Sequence, residues 1–276
     1  MSSSLRLEER LDFTLALARQ AGETIVAARR EASFGRSLKR GVELVTDTDV
    51  AVDRQIAAAL DQRFPNEGRL TEELTPDSHQ VDLEAALWIV DPIDGTVNFA
   101  HGHHHVAVSI AWALDGEIQL GVVHAPFLDE TFSAIRGRGA WLNDAPIAAS
   151  SADAFDEALI ATGFSYTRAD RAKQVARLAR ILDAGRDVRR NGSAALDLCG
   201  VACGRLDAYY ESVSPWDFAA GRLIAAEAGA LVGHLGPVPA GIPAELHGED
   251  LICCAPKLEA QLRALLAQAD RDFAAA

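Results

Sequence analysis

Leu87-Trp88-Ile89-Val90-Asp91-Pro92-Ile93-Asp94-Gly95-Thr96-Val97-Asn98-Phe99 is the stretch on which the reading of this chain turns. Four apolar residues, Leu87 to Val90, predict a short buried strand. Pro92 has no N–H to donate, so the strand is expected not to continue as a central one. Asp94, Gly95 and Thr96 then read as a turn into a helix, with Asp94 and Thr96 both able to cap it. Two carboxylates thus stand at the mouth of a strand, followed at once by a hydroxyl. Hard divalent cations such as Mg²⁺ bind through a few carboxylates plus substrate phosphate. An anion can also use the free N–H groups of a helix start.

The chain has 276 residues, 49% of them apolar, enough for a large core in one domain or two intimate ones. Its formal charge of −14 argues against binding a nucleic-acid backbone, which calls for a basic patch or stripe. A small anionic substrate stays compatible, because a bound cation inverts the local field. The segment Met1 to Arg6 lacks the uninterrupted apolar core of a signal peptide, and no apolar run reaches the roughly 18 residues of a membrane span. Four cysteines in a chain of this length are no disulfide framework. The expectation is a reduced, cytoplasmic protein with no nucleic-acid or membrane partner.

Outward from the central stretch, Leu7, Leu11, Leu15, Ala18, Ile25 and Ala28 predict an amphipathic helix over about 5–31. Gly35 and Gly41 bracket a basic loop with Arg36, Lys39 and Arg40. Val52, Ile56, Leu60 and Phe64 predict a second helix, ended by the turn signal Pro65-Asn66-Glu67-Gly68. A polar loop runs on from Glu73 to Asp82. Strands are expected at Val106–Leu114 and Ile118–His124, joined by the hairpin dipeptide Asp115-Gly116, then at Thr131–Ile135 and Ala140–Leu142. The polar run Ser150-Ser151-Ala152-Asp153 is the candidate boundary between an N-terminal half (1–150) and a C-terminal half (151–276). Beyond it strands and helices alternate, with helices at about 169–183, 193–203, 217–228 and 257–267, which argues an α/β arrangement with helices on the sheet faces.

Acids recur at the ends of these elements: Asp47 and Asp49, Glu72 and Glu73, Asp91 and Asp94, and Asp217 in Trp216-Asp217-Phe218-Ala219-Ala220-Gly221. Asp217 follows Pro215 and sits where a helix N-cap belongs. Taken singly, each reads as a cap or a solvated turn residue. Taken jointly, they lie where a fold can bring them to one place.

At this point the chain resembles the inositol monophosphatase superfamily of Mg²⁺-dependent, lithium-sensitive phosphatases. The resemblance runs from about Leu44 to Gly229 and rests on Thr71-Glu72-Glu73, the Asp91–Phe99 element, Val106–Ile110, Gly192–Ala195, Asp207–Glu211 and Trp216–Gly221. It implies a layered α/β sandwich of alternating helix layers and sheets, with the site between the two halves. It implies one metal on Glu72, Asp91 and the Ile93 carbonyl, and a second on Asp91, Asp94 and Asp217, with a third in some members. Glu72 and Thr96 would orient and deprotonate the attacking water, with Asp49 in support. The N–H groups of Gly95 and Thr96 would hold the phosphate; Gly192, Ser193, Ala194 and Glu211 would line the alcohol side. The activity implied is hydrolysis of a small phosphate monoester, inositol-1-phosphate first, by a homodimer. Histidinol phosphate, fructose-1,6-bisphosphate and adenosine 3′,5′-bisphosphate are the alternatives, as is a role as a binding partner of the transcription machinery.

Some features stand apart from that pattern. Thr71 stands where a glycine commonly precedes the Glu-Glu pair, and His101-Gly102-His103-His104-His105 replaces a segment that often reads His-Gly-Phe-Pro. Imidazoles suit Zn, Cu and Ni, but the flanking match makes this a variant loop. Asp47-Thr48-Asp49 resembles a haloacid-dehalogenase nucleophile pair, but Ala51 stands where that motif has Thr or Val, and Gly137-Arg138-Gly139 lacks a third glycine. Cys199, Cys203, Cys253 and Cys254 read as core thiols and His124 as structural. Arg189 and Arg190 lead toward the site, divided between phosphate steering and surface.

Overall fold

The computed structural model describes residues 3–31, 34–39, 43–74 and 81–275. Arg40 and Gly41 of the basic loop, and positions 75–80 of the polar loop, lie outside the described residues. The first half of the chain supplies α1 (Ser3–Glu31), β1 (Arg36–Lys39), β2 (Glu43–Thr46), α2 (Asp47–Arg63), β3 (Gly68–Thr71), β4 (Leu87–Asp94), α3 (Thr96–His101), β5 (Ala107–Leu114), β6 (Glu117–Ala125), β7 (Glu130–Ile135), β8 (Ala140–Leu142) and β9 (Ala145–Ile147). The second supplies β10 (Leu159–Thr162), α4 (Arg168–Ala184), β11 (Asp187–Arg189), α5 (Ala194–Ala202), β12 (Ala208–Glu211), α6 (Pro215–Glu227), β13 (Leu231–His234), β14 (Leu251–Cys254) and α7 (Glu259–Ala275).

The apolar run of β4 alternates between two cores. Leu87 and Ile89 join one with α5 and α6, whereas Trp88 and Val90 join another with α1 and α2. In β5 the small Ala107, Ala111 and Ala113 take the first side, and Val108, Ile110 and Trp112 the second. A strand that reads as continuously apolar is thus a period-two pattern covered on both faces. The sheet runs β3-β4-β5-β6-β7-β8-β9, parallel at β3–β4 and antiparallel elsewhere. The second sheet runs β11-β10-β12-β14-β13, with β10 parallel to both its neighbours. Tyr209, Leu251 and Cys253 face the α5/α6 core, and Tyr210, Ile252 and Cys254 face a third core with Leu262 and Leu266 of α7. The layers therefore run α1/α2, seven strands, α5/α6, five strands, α4/α7. This is the alternating sandwich that the resemblance implies.

Several local expectations are corrected. Pro92 does not end β4: the strand continues to Asp94, and its pairing with β5 breaks between Asp91↔Ser109 and Asp94↔Ala107. The proline sits in that irregularity, where the ladder needs no donor. Neither Asp94 nor Thr96 caps α3; Gly95 occupies the N-cap with φ 99°. Ser214, not Asp217, is the N-cap of α6, and Asp217 is the third residue of a capping box with it. The basic loop contains β1, which pairs antiparallel with β2. β13 has no counterpart in the sequence reading, and α7 extends beyond 267 to Ala275. The last turns of α7 are held by polar contacts that periodicity does not register, since Arg177 of α4 grips Asp270 at 2.6 and 2.5 Å.

One ionic cluster pins α1 to the first sheet. Glu67 accepts Arg10 at 2.9 and 2.5 Å and the indole N–H groups of Trp88 and Trp112 at 2.8 and 3.0 Å. The guanidinium lies 4.3 Å from the Phe64 ring centre and 4.2 Å from that of Trp112. Glu67→Ala would strand a largely buried cation and two indole donors. The expected loss is on the order of 3 kcal/mol, read by urea unfolding followed through tryptophan fluorescence. An unchanged midpoint would show that the cluster stabilises nothing.

Candidate active site

β4 ends with Asp91 and Asp94 side by side in the break in pairing that surrounds Pro92. Asp91 is 2% exposed, and its carboxylate accepts the Ile93 N–H at 2.9 Å. Asp94, 7% exposed, reaches into the second half of the chain. It accepts the Ser193 hydroxyl at 2.5 Å and the N–H groups of Ala194 and Ala195 at 3.3 and 2.7 Å. Those are donors at the start of α5, so Asp94 acts as a cap supplied from a distant strand. Asp217 arrives from the first turn of α6, held by the Ser214 N–H at 2.7 Å. Ser109 of β5 donates to the Trp216 carbonyl at 3.1 Å and ties that turn to the first sheet.

Carboxylate oxygens of Asp91, Asp94 and Asp217 lie within 4.8 Å of one another. Among the described residues this is the one group of three acids, cysteines or histidines arranged to hold a metal ion. Burial first, and then the charges of Glu72, Asp94 and Asp217, raise Asp91 well above the ordinary carboxylate range. Asp217 is raised likewise, by burial and then by Asp94 and Glu72. Burial pushes Asp94 up to about 6 against the pull of its Ser193 and Ala195 hydrogen bonds. Glu72 also shares a hydrogen bond with Asp91, which two ionised carboxylates cannot do. The donor set is all oxygen and crowded with negative charge, which fits a hard divalent cation.

Around the trio stands the rest of the cleft, of about 290 Å³. Glu72, Asp91, Ile93, Asp94, Gly95, Thr96, Gly192, Ser193, Ala194, Glu211 and Asp217 all line it, so the fold brings together every predicted site residue but one. The exception is Asp49, fully buried behind Thr96, whose hydroxyl donates to it at 2.9 Å. The other Asp49 oxygen accepts the Thr46 N–H and hydroxyl at 2.8 and 2.5 Å. The Ile93 carbonyl accepts Thr96 Oγ1 at 3.1 Å. Ser193 and Ala194 spend their donors on Asp94 rather than leaving them toward a ligand. Gly95 has no alternative: besides its positive φ, a Cβ there would lie 2.9 Å from the His105 carbonyl oxygen.

A family model described as the Inositol monophosphatase family matches residues 6–271. The chain belongs to the inositol monophosphatase family. It is 43% identical over 233 residues to "Inositol monophosphatase 2" of Solanum lycopersicum, across 82% of this chain and 87% of that one. It is 37% identical over 226 residues to "Nus factor SuhB" of Pasteurella multocida, across 80% and 84% of the two. The IMPase of Thermotoga maritima superposes with a TM-score of 0.85 at 31% identity, over 96% of this chain and 99% of that one. Inositol monophosphatase family members are phosphatases that hydrolyse phosphate monoesters, and this chain is such an enzyme.

Two residues that support this cleft escaped the sequence reading. Asp53 of α2, fully buried, accepts the N–H groups of Glu73 and Leu74 at 3.1 and 3.0 Å and so fixes the turn that presents Glu72. A usable signal existed, since Asp49 and Asp53 are two acids four apart on the apolar stripe of Val52 and Ile56. Tyr209 donates its hydroxyl to Glu211 at 2.8 Å. The histidine loop has separate occupations: His104 stacks on Phe127, with ring centres 5.4 Å apart, and His105 Nε2 lies 3.7 Å from Asp197. Arg189 pairs with Asp187, whereas Arg190 lines the cleft.

Because folding raises the pKa of Asp91, Asp94 and Asp217, the folded chain holds protons that the unfolded chain would release. For Asp94 this stability is full below its ordinary 3.8 and is lost as pH rises through about 6. The melting temperature of chelator-treated protein should therefore fall between about pH 4 and about pH 7, and added divalent cation should restore more of it at the upper end. A cation effect of equal size at both ends would contradict the crowding of charge.

Proposed function

We propose that the chain hydrolyses inositol-1-phosphate to inositol and phosphate with Mg²⁺, two or three ions being held by Glu72, Asp91, the Ile93 carbonyl, Asp94 and Asp217. The observation that carries this reading is the Asp91, Asp94 and Asp217 trio beside Glu72 and Thr96 in one cleft. Bound divalent cations supply Lewis-acid charge at phosphoryl oxygens and lower the pKa of water. The chain supplies the rest. Thr96 commits its one hydroxyl hydrogen to Asp49, the nearer of its two acceptors, which leaves oxygen lone pairs to orient a water. Glu72 takes that water's proton, and buried Asp49 keeps the threonine in place. The N–H groups of Gly95 and Thr96 receive the phosphate, while Glu211 faces the leaving alcohol with Gly192, Ser193 and Ala194 beside it.

The same reading places the metal-carrying groups mostly in residues 1–150 and the alcohol side in 151–276, in a cytoplasmic homodimer. No described helix is long and apolar enough to cross a membrane. Glu211 favours a polyol over histidinol phosphate, fructose-1,6-bisphosphate or adenosine 3′,5′-bisphosphate, because a carboxylate accepts from hydroxyls and repels a second phosphate. A relative bearing the name Nus factor SuhB supports a second reading, association with the transcription machinery.

Phosphate release from these four compounds, with and without Mg²⁺, tests the assignment. Turnover should be highest with inositol-1-phosphate and vanish on chelation. Glu72→Gln should lower kcat at least about 100-fold. Asp94→Asn should do the same and also weaken the cap on α5. No turnover of any compound by folded protein with Mg²⁺ bound would remove the phosphatase mechanism. Stoichiometric RNA polymerase retained on the immobilised chain would then favour the second reading.

A further inference from the structure

The cleft is lined by six acids, Glu72, Asp91, Asp94, Asp197, Glu211 and Asp217. Among the described residues lining it, Arg190 is the one lysine or arginine. Arg189 beside it is consumed by Asp187, at 2.6 Å, and faces outward. Arg190 has neither an ion pair nor a hydrogen bond among the described residues. Its guanidinium instead lies over Gly192: a Cβ on that glycine would sit 2.7 Å from Arg190 Nη1. The segment beneath it is anchored, because Asn98 donates to the carbonyls of His105 and Asn191, each at 2.7 Å. So an uncommitted cation is presented from a fixed backbone at the alcohol side of the cleft.

Its counterpart there is Glu211, which burial pushes up to about 7 against the pull of the Tyr209 hydroxyl and then of Arg190. Glu211 also has a fixed seat. A Cβ on Gly163 would lie 2.0 Å from Glu211 Oε1, so the carboxylate occupies the space that any larger residue would fill. One fixed acceptor and one uncommitted fork of donors, carried on an anchored backbone, face the same volume. A hydroxyl can serve both, whereas a second phosphate placed between Glu211 and Asp197 would meet repulsion.

We propose that Arg190 is a specificity-determining residue: with Glu211 it forms a donor–acceptor pair that grips adjacent hydroxyls of a neutral polyol leaving group. This rests on the phosphatase reading above. It explains why an exposed arginine sits at the mouth of a site whose other charged lining is acidic. Arg190 sets which alcohol is accepted, and the acids deeper in the cleft set how the phosphate is cleaved.

The test compares wild type with Arg190→Ala and Arg190→Lys at saturating Mg²⁺. The substrates are inositol-1-phosphate, p-nitrophenyl phosphate (whose leaving group has no adjacent hydroxyls) and fructose-1,6-bisphosphate. Arg190→Ala should lower the kcat/KM preference for inositol-1-phosphate over p-nitrophenyl phosphate roughly tenfold, the size of one hydrogen bond to a charged group. The loss should fall on KM rather than kcat, and Arg190→Lys should recover only part of it. An unchanged preference would overturn the proposal and leave the phosphatase reading intact. So would a larger loss for the bisphosphate, which would make Arg190 an anion site. A wild-type chain that hydrolyses none of the three would remove both.

Discussion

Three carboxylates, two buried and one half-buried, with oxygens no more than 4.8 Å apart are the constraint on which the rest of this structure depends. At an effective dielectric of about 20, two unit charges at that separation repel by roughly 3–4 kcal/mol. Burial adds to the cost, and the raised pKa values of Asp91, Asp94 and Asp217 are its signature. A chain that merely needed to fold would keep such groups apart. This one commits a central strand, a long-range cap and a helix terminus to holding them together, so the cluster has to be compensated by protons or by bound cations.

The compensation is built into the joint between layers. Asp94 belongs to the first sheet yet satisfies the opening donors of α5, the helix that packs against the second sheet. Asp217 opens α6, which lies in the same layer and against the first sheet. The two halves therefore meet through shared apolar packing and through the acids themselves. On the opposite face, Asp49 and Asp53 of α2 reach through the sheet edge to hold Thr96 and the Glu72 turn. The crowded charge sits at one point, and the surrounding cores supply the stability that tolerates it.

Much of this was legible in residue order because the site motifs carry their own secondary structure. An apolar run ending in Asp-Pro-Ile-Asp-Gly-Thr announces a strand and then a helix within ten residues, and Pro215-Trp216-Asp217 announces a helix start. What escaped depends on partners distant in sequence. Pro92 could be tolerated within β4 only because the pairing with β5 shifts there, and nothing in Leu87–Thr96 specifies that shift. The donors that Asp94 satisfies lie 99 to 101 positions away, so its nearest helix, α3, looked like the natural candidate. Asp53 was passed over because an acid on an apolar stripe reads as solvated until the turn it holds is in view. β13 is a half-buried edge strand whose pairing with β14 is set by tertiary packing.

The most direct test is to count protons. Divalent cation binding, measured by calorimetry near pH 6 in buffers of different ionisation enthalpy, reports how many protons leave as the ion enters. Crowded carboxylates that share protons when free must give them up, so the account predicts release of about one proton or more per chain. Cation binding with no proton release would show that the acids were already fully ionised. The idea that charge crowding organises this site would then be wrong.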